Sequence, residues 1–287
     1  MKTIRVGSRE SRLAVIQSEL VMAALNTQGI STQLVTMKTT GDKILDRTLD
    51  QIGGKGLFVK ELDAALLDGR VDLTVHSCKD LPMETDPRLP LVAFSKREDP
   101  RDCLVLSEGK TEMELGKPIG CASLRRTIQL KRLFPDWDVQ PVRGNVQTRL
   151  RKLDEGQFSA LVLASAGLKR LGLEARISRC FSPEEMLPAA GQGILAVQAR
   201  AGEDVSFLSA FHDPDGADCL LAERAFVRAL DGGCTSPVAA HAVLEGDTLR
   251  LTGLNVTAEN TPFFDQISGP RAQAETLGRT LAERMKR

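Results

Sequence analysis

The chain has 287 residues, 42% hydrophobic and 26% charged, with a formal net charge of zero. That length allows about two domains and a sizeable core. The charge balance removes any whole-chain electrostatic case for nucleic acid or an anionic membrane as partner.

In chain order the pattern alternates short strands with helices, as α/β domains do. Ile4 to Ser8 reads as a strand, followed by a helix from about Ser11 with Leu13, Ile16, Leu20, Val21 and Ala24 on one face and Gly29 as its stop. Thr32 to Lys38 is a second strand. A polar, Gly-containing segment runs from Thr39 to Gly56, and the composition of 42–56 predicts a mobile lid. The next helix is expected to carry Phe58, Leu62, Ala65 and Leu66 on its core face. After Arg101 the alternation restarts: strands at Cys103–Leu106 and Ile119–Cys121, a helix capped by Ser123, a strand at Val139–Val142, a helix from Asn145 and a strand at Ala160–Ala164. The last third differs, with a helix over Ala217–Leu230, a strand over Leu249–Val256 and a terminal helix over Arg271–Arg287. Two similar doubly wound α/β domains around a crevice and a small C-terminal α+β domain follow. The expected bounds are 1–95 with 191–211, then 96–190, then 212–287.

Six cysteines and three histidines lie scattered without CxxC or HxxxH spacing, so no metal site is expected. Met1 leads directly into strand-like sequence without a signal peptide, and no apolar run reaches about 18 residues. A reduced, cytoplasmic setting is the expectation.

The chemistry concentrates at VHSCKDLP, residues 75–82, where a buried strand ends in residues of reactive type. Strand alternation predicts His76 and Cys78 on one face and Ser77 on the other. A Cys–His nucleophilic pair is conceivable there, but no third group orients it, and packing is the better reading.

The cations form a second pattern. Arg outnumbers Lys by 25 to 13, which favours an anionic ligand, although GC-rich coding produces the same skew. Arg9 and Arg12 bracket Ser11, Arg125 and Arg126 follow Ser123, and Arg143 and Arg149 flank the helix start at Asn145. Cations at a helix N-terminus oppose the macrodipole at about 0.3–1 kcal/mol each. Three successive helix starts built this way point to a bound anion. Gly53-Gly54-Lys55-Gly56 lacks the Walker spacing, and Gly191-Gln192-Gly193 follows prolines where a dinucleotide fold needs a strand. Carboxylates are therefore a better guess than phosphate.

Together these stretches resemble the porphobilinogen deaminases (hydroxymethylbilane synthases). The resemblance runs from RVGSRES (5–11) through GDKILD (41–46), GGKGLFVKEL (53–62), VHSCKDLP, REDPRD (97–102), SLRR (123–126), RGNVQTRLRKLD (143–154), AGLKRLGL (166–173) and LPAAGQG (187–193) to DGGCTSP (231–237). It implies a transferase of haem and tetrapyrrole synthesis that joins four porphobilinogen molecules head to tail, losing ammonia at each step. The chain grows on a dipyrromethane cofactor held by a thioether, here to Cys234, and is released as hydroxymethylbilane. Each ring carries two carboxylates, which gives the cations a purpose. The resemblance makes Asp80 the catalytic residue, facing the pyrrole N–H groups and the azafulvene cation left by ammonia. It assigns Cys234, Lys79, Asp80, Ser123, Arg125, Arg126 and Arg143 to the cofactor. Arg9, Ser11, Lys55, Phe58, Ser77, Arg149, Arg170 and Gln192 fall to the substrate. Cys121-Ala122 and Gln51 depart from common family residues. A monomer without nucleic-acid or membrane partners is implied. The rival reading is a non-enzymatic binder, because two α/β lobes around a crevice are also periplasmic-binding-protein-like. That reading explains the arginines but neither Asp80 nor GGC.

Overall fold

A computed structural model of the protein describes residues 3–43, 56–232, 236–259 and 261–286. Among them lie three sheets. The first holds β1 (Ile4–Arg9), β2 (Thr32–Met37), β3 (Leu73–Ser77), β4 (Leu91–Phe94) and β10 (Leu195–Gln198), in the order β2-β1-β3-β10-β4. β1 runs parallel to β2 and β3, whereas β10 is antiparallel to both its neighbours. Helix α1 (Arg12–Asn26) buries Val21 and Leu25 on the face formed by Val6, Leu73, Val75 and Val197. Val35 pairs with Gly7, one residue past Val6, and so faces the other side. There it meets Ala65 and Leu66 of α3 (Lys60–Leu67); the four-residue α2 (Thr40–Lys43) lies between β2 and α3. Each such fully buried leucine or valine contributes about 1.5–3 kcal/mol.

The second sheet repeats the plan. It holds β5 (Asp102–Leu106), β6 (Ile119–Cys121), β7 (Val139–Pro141), β8 (Ala160–Ala164) and β9 (Arg179–Cys180), ordered β7-β6-β8-β5-β9, with β5 as the antiparallel member. Alternate residues of β8 serve opposite faces. Val162 packs with Leu130 of α4 (Leu124–Leu133), while Leu161 and Leu163 pack with Leu150 and Leu153 of α5 (Val146–Asp154). Helix α6 (Ser165–Arg170) follows β8 directly.

The antiparallel slot of each sheet is filled by the strand that follows a crossing. The chain leaves the first sheet after β4 and enters the second as β5; it leaves the second after β9 and returns as β10. The two crossings are bonded side by side: Ser95 N–H donates to Leu195 O at 2.9 Å, and Glu98 N–H to Gly193 O at 3.2 Å. Here the glycines of GQG find their reason. Gly193 has φ +91°, and a Cβ there would lie 2.2 Å from the Glu98 carbonyl oxygen. Gly191 has φ +72°, and its Cβ would lie 2.7 Å from Cys78 Cβ. Close backbone approach, rather than nucleotide binding, requires them.

The third sheet is antiparallel, β11 (Ala239–Glu245), β12 (Thr248–Val256) and β13 (Pro262–Pro270), packed by α7 (Pro214–Ala229) and α8 (Ala274–Met285) around Phe226, Leu249, Leu251 and Leu281. Gly278 brings the helices together, since a Cβ there would sit 2.3 Å from Ala222 O. Glu223 of α7 is fully buried and ties this unit to both crossings. It accepts from Arg97 at 2.8 Å, from Gly191 N–H at 2.7 Å and from Ala242 N–H at 2.7 Å.

Several local expectations change. β4, β9, β10, β11 and β13 join the sheets although the residue pattern did not mark them. Phe58 precedes α3 in a turn instead of lying on its core face, and the terminal helix starts at Ala274 after a 3₁₀ turn over Arg271–Gln273. Among the described residues no helix is long and apolar enough to cross a membrane.

Candidate active site

β3 ends one residue before the alternation argument requires. Ser77 is its last residue, and Cys78–Asp80 form a 3₁₀ turn. The turn is anchored by Cys78 N–H donating to Ile194 O at 3.0 Å. Cys78 and His76 therefore do not share a strand face. Cys78 packs with Leu81, Ile194 and Leu220, and burial pushes its thiol up to about 12. His76 contacts Thr74 Oγ1 at 2.9 Å; burial, aided by Arg9, takes its imidazole down to about 4. An inert thiol and a neutral imidazole exclude the nucleophilic pair.

The turn instead presents Lys79 and exposed Asp80 to a cleft of about 680 Å³ lined by all three sheet units. The first unit adds Arg9, Ser11, Phe58 and Ser77 to the lining. The Arg9 guanidinium lies 4.3 Å from the centre of the Phe58 ring, a cation–π contact that holds the cation at the cleft wall. That ring is backed by Gly41, where a Cβ would come within 2.3 Å of it. Ser11 stands at the N-cap of α1 without a side-chain capping bond. Ser77 Oγ accepts from Gln17 Nε2 at 2.9 Å.

The facing wall comes from the second unit. Ser123 caps α4 through a 3.4 Å bond from Arg126 N–H, and Asn145 caps α5 through a 2.9 Å bond from Thr148 N–H. Arg143 and Arg149 line the cleft beside that cap. Arg149 Nε donates to Gly144 O at 2.7 Å, and Arg170 Nη2 to Gly193 O at 2.6 Å. Burial and then the Arg126 and Arg143 cations lower Arg149 to about 10, with Asp80 opposing them. Lys79 falls to about 8, mainly by burial and further by Arg126 and Arg125, against Asp80 and Asp102. A cleft that strains its own cations this way is matched to an anion.

Two of the cleft-lining arginines are also held from within the protein. Arg125 and Arg126 are only 4% and 5% exposed, and their forks are engaged by the protein's own carboxylate. Arg125 Nη1 lies 2.7 Å from Asp102 Oδ2, and Arg126 Nη2 lies 2.7 Å from Asp102 Oδ1. Burial pushes the Asp102 carboxyl up, but the two guanidiniums outweigh it and hold it well below the usual carboxylate range. Two cations against one buried carboxylate leave a net positive charge at the cleft floor. Gln192 lines the cleft too but is only 1% exposed, with both ends of its amide bonded within the protein.

Sequence reasoning passed over Asp102 and Gln17. Asp102 sits inside REDPRD, but nothing local shows that its partners lie 23 and 24 residues away. Of the departures, Ala122 lines the cleft, while Cys121 turns its thiol to Thr127 Oγ1 at 3.2 Å. Lys55, Gln51 and Cys234, with most of the 42–56 lid, lie outside the described residues. Val227, Ser236 and Val238 of the third unit do line the cleft. Among the described residues no cluster of three metal-ligating side chains occurs.

Comparison with known proteins gives the same direction. The family model described as porphobilinogen deaminase, dipyromethane cofactor binding domain, matches residues 4–207, and the porphobilinogen deaminase C-terminal domain matches 217–287. The porphobilinogen deaminase of Alkaliphilus oremlandii is 60% identical over 99% of this chain and 96% of its own length. That of Acetivibrio thermocellus is 58% identical over 98% and 97%, and that of Methylobacillus flagellatus 45% identical over 99% and 94%. Among solved structures, the methionine binding protein MetQ aligns with 75% of the chain and 92% of its own, at 13% identity and a TM-score of 0.47. The chain belongs to the porphobilinogen deaminase family.

Proposed function

We propose that the cleft condenses four porphobilinogen molecules head to tail, with loss of ammonia, into hydroxymethylbilane, as a transferase of tetrapyrrole (haem) synthesis. The observation that carries this reading is Asp80. It is an exposed carboxylate on a 3₁₀ turn anchored to Ile194, beside Lys79 and in a cleft also lined by Arg143, Arg149 and Arg170. The cations hold the acetate and propionate of each ring, and the carboxylate takes the ring nitrogens. Near a protein surface, opposite charges at contact distance attract by about 4 kcal/mol before desolvation is subtracted. That attraction favours departure of ammonia and steadies the azafulvene until the next α-carbon attacks. Asp80 then accepts the proton released as the pyrrole regains aromaticity.

The residues present fit a covalent dipyrromethane. Its two rings bring four carboxylates, and Lys79, Ser123, Arg125, Arg126 and Arg143 line the cleft as donors. The primer supplies the α-carbon to which the first substrate is joined. Cys234 is its proposed attachment point, in a segment bounded by the cleft-lining Val227 and Ser236. Arg9, Ser11, Lys55, Phe58, Ser77, Arg149 and Arg170 are assigned to incoming substrate. We also assign the three bodies as 1–95 with 191–211, 96–190 and 212–287, and the working form as a cytoplasmic monomer without nucleic-acid or membrane partners. Porphobilinogen added to the purified protein, followed by acid and oxidant, should give a porphyrin absorbance band. Absence of colour with no substrate consumed would overturn the reading.

A further inference from the structure

We propose that Gln192 is a positioning residue: its carboxamide ties the Lys79 ammonium of the first lobe to the Asp102 carboxylate of the second, and so fixes where Lys79 presents its charge in the cleft. The proposal rests on the assignment of Lys79 to ligand carboxylates made above.

Gln192 Oε1 accepts from Lys79 Nζ at 3.3 Å, while Nε2 donates to Asp102 Oδ1 at 3.0 Å and to Pro100 O at 2.6 Å. The side chain is 1% exposed, so these partners use its polar atoms in place of solvent or ligand. Its backbone is bonded on both sides: Gln192 N–H donates to Ala189 O at 2.9 Å, Gly191 N–H to Glu223 at 2.7 Å, and Gly193 O accepts from Glu98 N–H at 3.2 Å.

An amide is the group this place needs. It accepts at one end, toward an ammonium, and donates at the other, toward a carboxylate and a carbonyl. A carboxylate would set like charge against Asp102, and an apolar side chain would serve neither end. Asp102 already fixes Arg125 and Arg126, so the amide extends one bonded chain from two arginines of the second lobe to Lys79 of the first. Gln192 lies in the return crossing between the lobes, which is bonded alongside the outgoing one. Lys79 thereby keeps its place relative to the arginine wall as successive rings arrive. The charged groups facing Lys79 are Asp80, Arg126, Asp102 and Arg125.

The test uses Gln192→Met, nearly isosteric but without donor or acceptor, and Gln192→Glu, which returns an acceptor. Trace acetylation of the full chain across pH, read at the Lys79 peptide by mass spectrometry, gives the titration midpoint of that amine independently of activity. In Q192M the midpoint should fall by about one unit as the acceptor is lost, and in Q192E it should rise above that of Q192M. kcat/KM for porphobilinogen should fall about tenfold in Q192M, because the primer carboxylates that Lys79 is assigned to hold are then less well placed. A Lys79 midpoint identical to wild type in a cooperatively melting Q192M would overturn the proposal. A shifted midpoint with unchanged kinetics would uphold the positioning role and remove Lys79 from the ligand site instead. If Q192M does not fold, the shorter amide of Gln192→Asn should lower the midpoint, and an unshifted value there would overturn the proposal equally.

Discussion

Arg126 and Asp102 are joined by two bonds to a single oxygen: Nη2 and Nε of the guanidinium reach Asp102 Oδ1 at 2.7 and 3.1 Å, with both side chains buried. The other oxygen of Asp102 takes Arg125 at 2.7 Å. The pair connects the first residue of β5 to the first turn of α4 and sets the floor of the cleft.

Removing that carboxylate leaves two buried guanidiniums uncompensated. Asp102→Ala should cost about 3–5 kcal/mol of stability, the range for breaking a buried ion pair from one side, measured as a fall in the urea midpoint at unchanged slope. Because the folded carboxyl sits below its unfolded value of about 3.9, its contribution is complete above that pH and is lost as the pH falls further. Between about pH 5 and 2 the wild type should therefore lose stability more steeply than the variant. Parallel curves would show that the pair is energetically silent.

Asp80→Asn keeps the size of the side chain but removes both charge and proton acceptance. Turnover should drop at least about a hundredfold, the usual scale of a general acid–base group, while the melting temperature stays near wild type because Asp80 is exposed. Near-normal turnover would pass the role to another residue.

Lys79, lowered to about 8 chiefly by burial, should give the activity an alkaline limb. Above that pH the amine is neutral and its hold on the cofactor carboxylates is lost, so kcat/KM should fall. The stability contribution of the same group has the opposite sign. The unfolded chain binds the proton up to about 10.4, so between the two values folding gains stability as pH rises. A kcat/KM that is flat from pH 7 to 10 would remove Lys79 from the cofactor-binding set.

Arg126→Leu and Arg143→Leu should impair cofactor assembly or early loading, whereas Arg170→Leu should stall later enzyme–substrate intermediates, visible as discrete complexes on native gels. Uniform, mild losses of affinity in all three would contradict a stepwise track for a growing polyanion. Arg126 carries an additional expectation: its bonds to Asp102 mean that its variant should also lose stability, and Arg143→Leu less so.

Denaturing mass spectrometry of the purified protein should show an excess mass equal to two linked substrate-derived rings on the peptide containing Cys234. Cys234→Ala should lack both the adduct and bilane formation, while Cys78→Ala keeps them, since burial holds the Cys78 thiol up at about 12. An adduct on any other cysteine, or an unmodified active enzyme, would refute the assignment.

The sequence by itself determined the α/β alternation, the cap at Ser123, the helix start at Asn145, and the convergence of cations at helix starts, because periodicity, capping and dipole effects act over a few residues. It also placed Lys79 and Asp80 together at a strand end. Tertiary structure decided the rest. β10 reads as a short apolar run, and only its pairing with β3 and β4 makes it a central strand. Cys78 leaves the strand face because its turn is tied to Ile194, far along the chain. Arg125, Arg126 and Gln192 read in the sequence as ligand-binding residues, and only the fold shows that they share one buried carboxylate, Asp102, across separations of 23, 24 and 90 residues. Whether a buried charge faces a ligand or a protein partner depends on which distant group folding brings within about 3 Å, and no local pattern carries that distance.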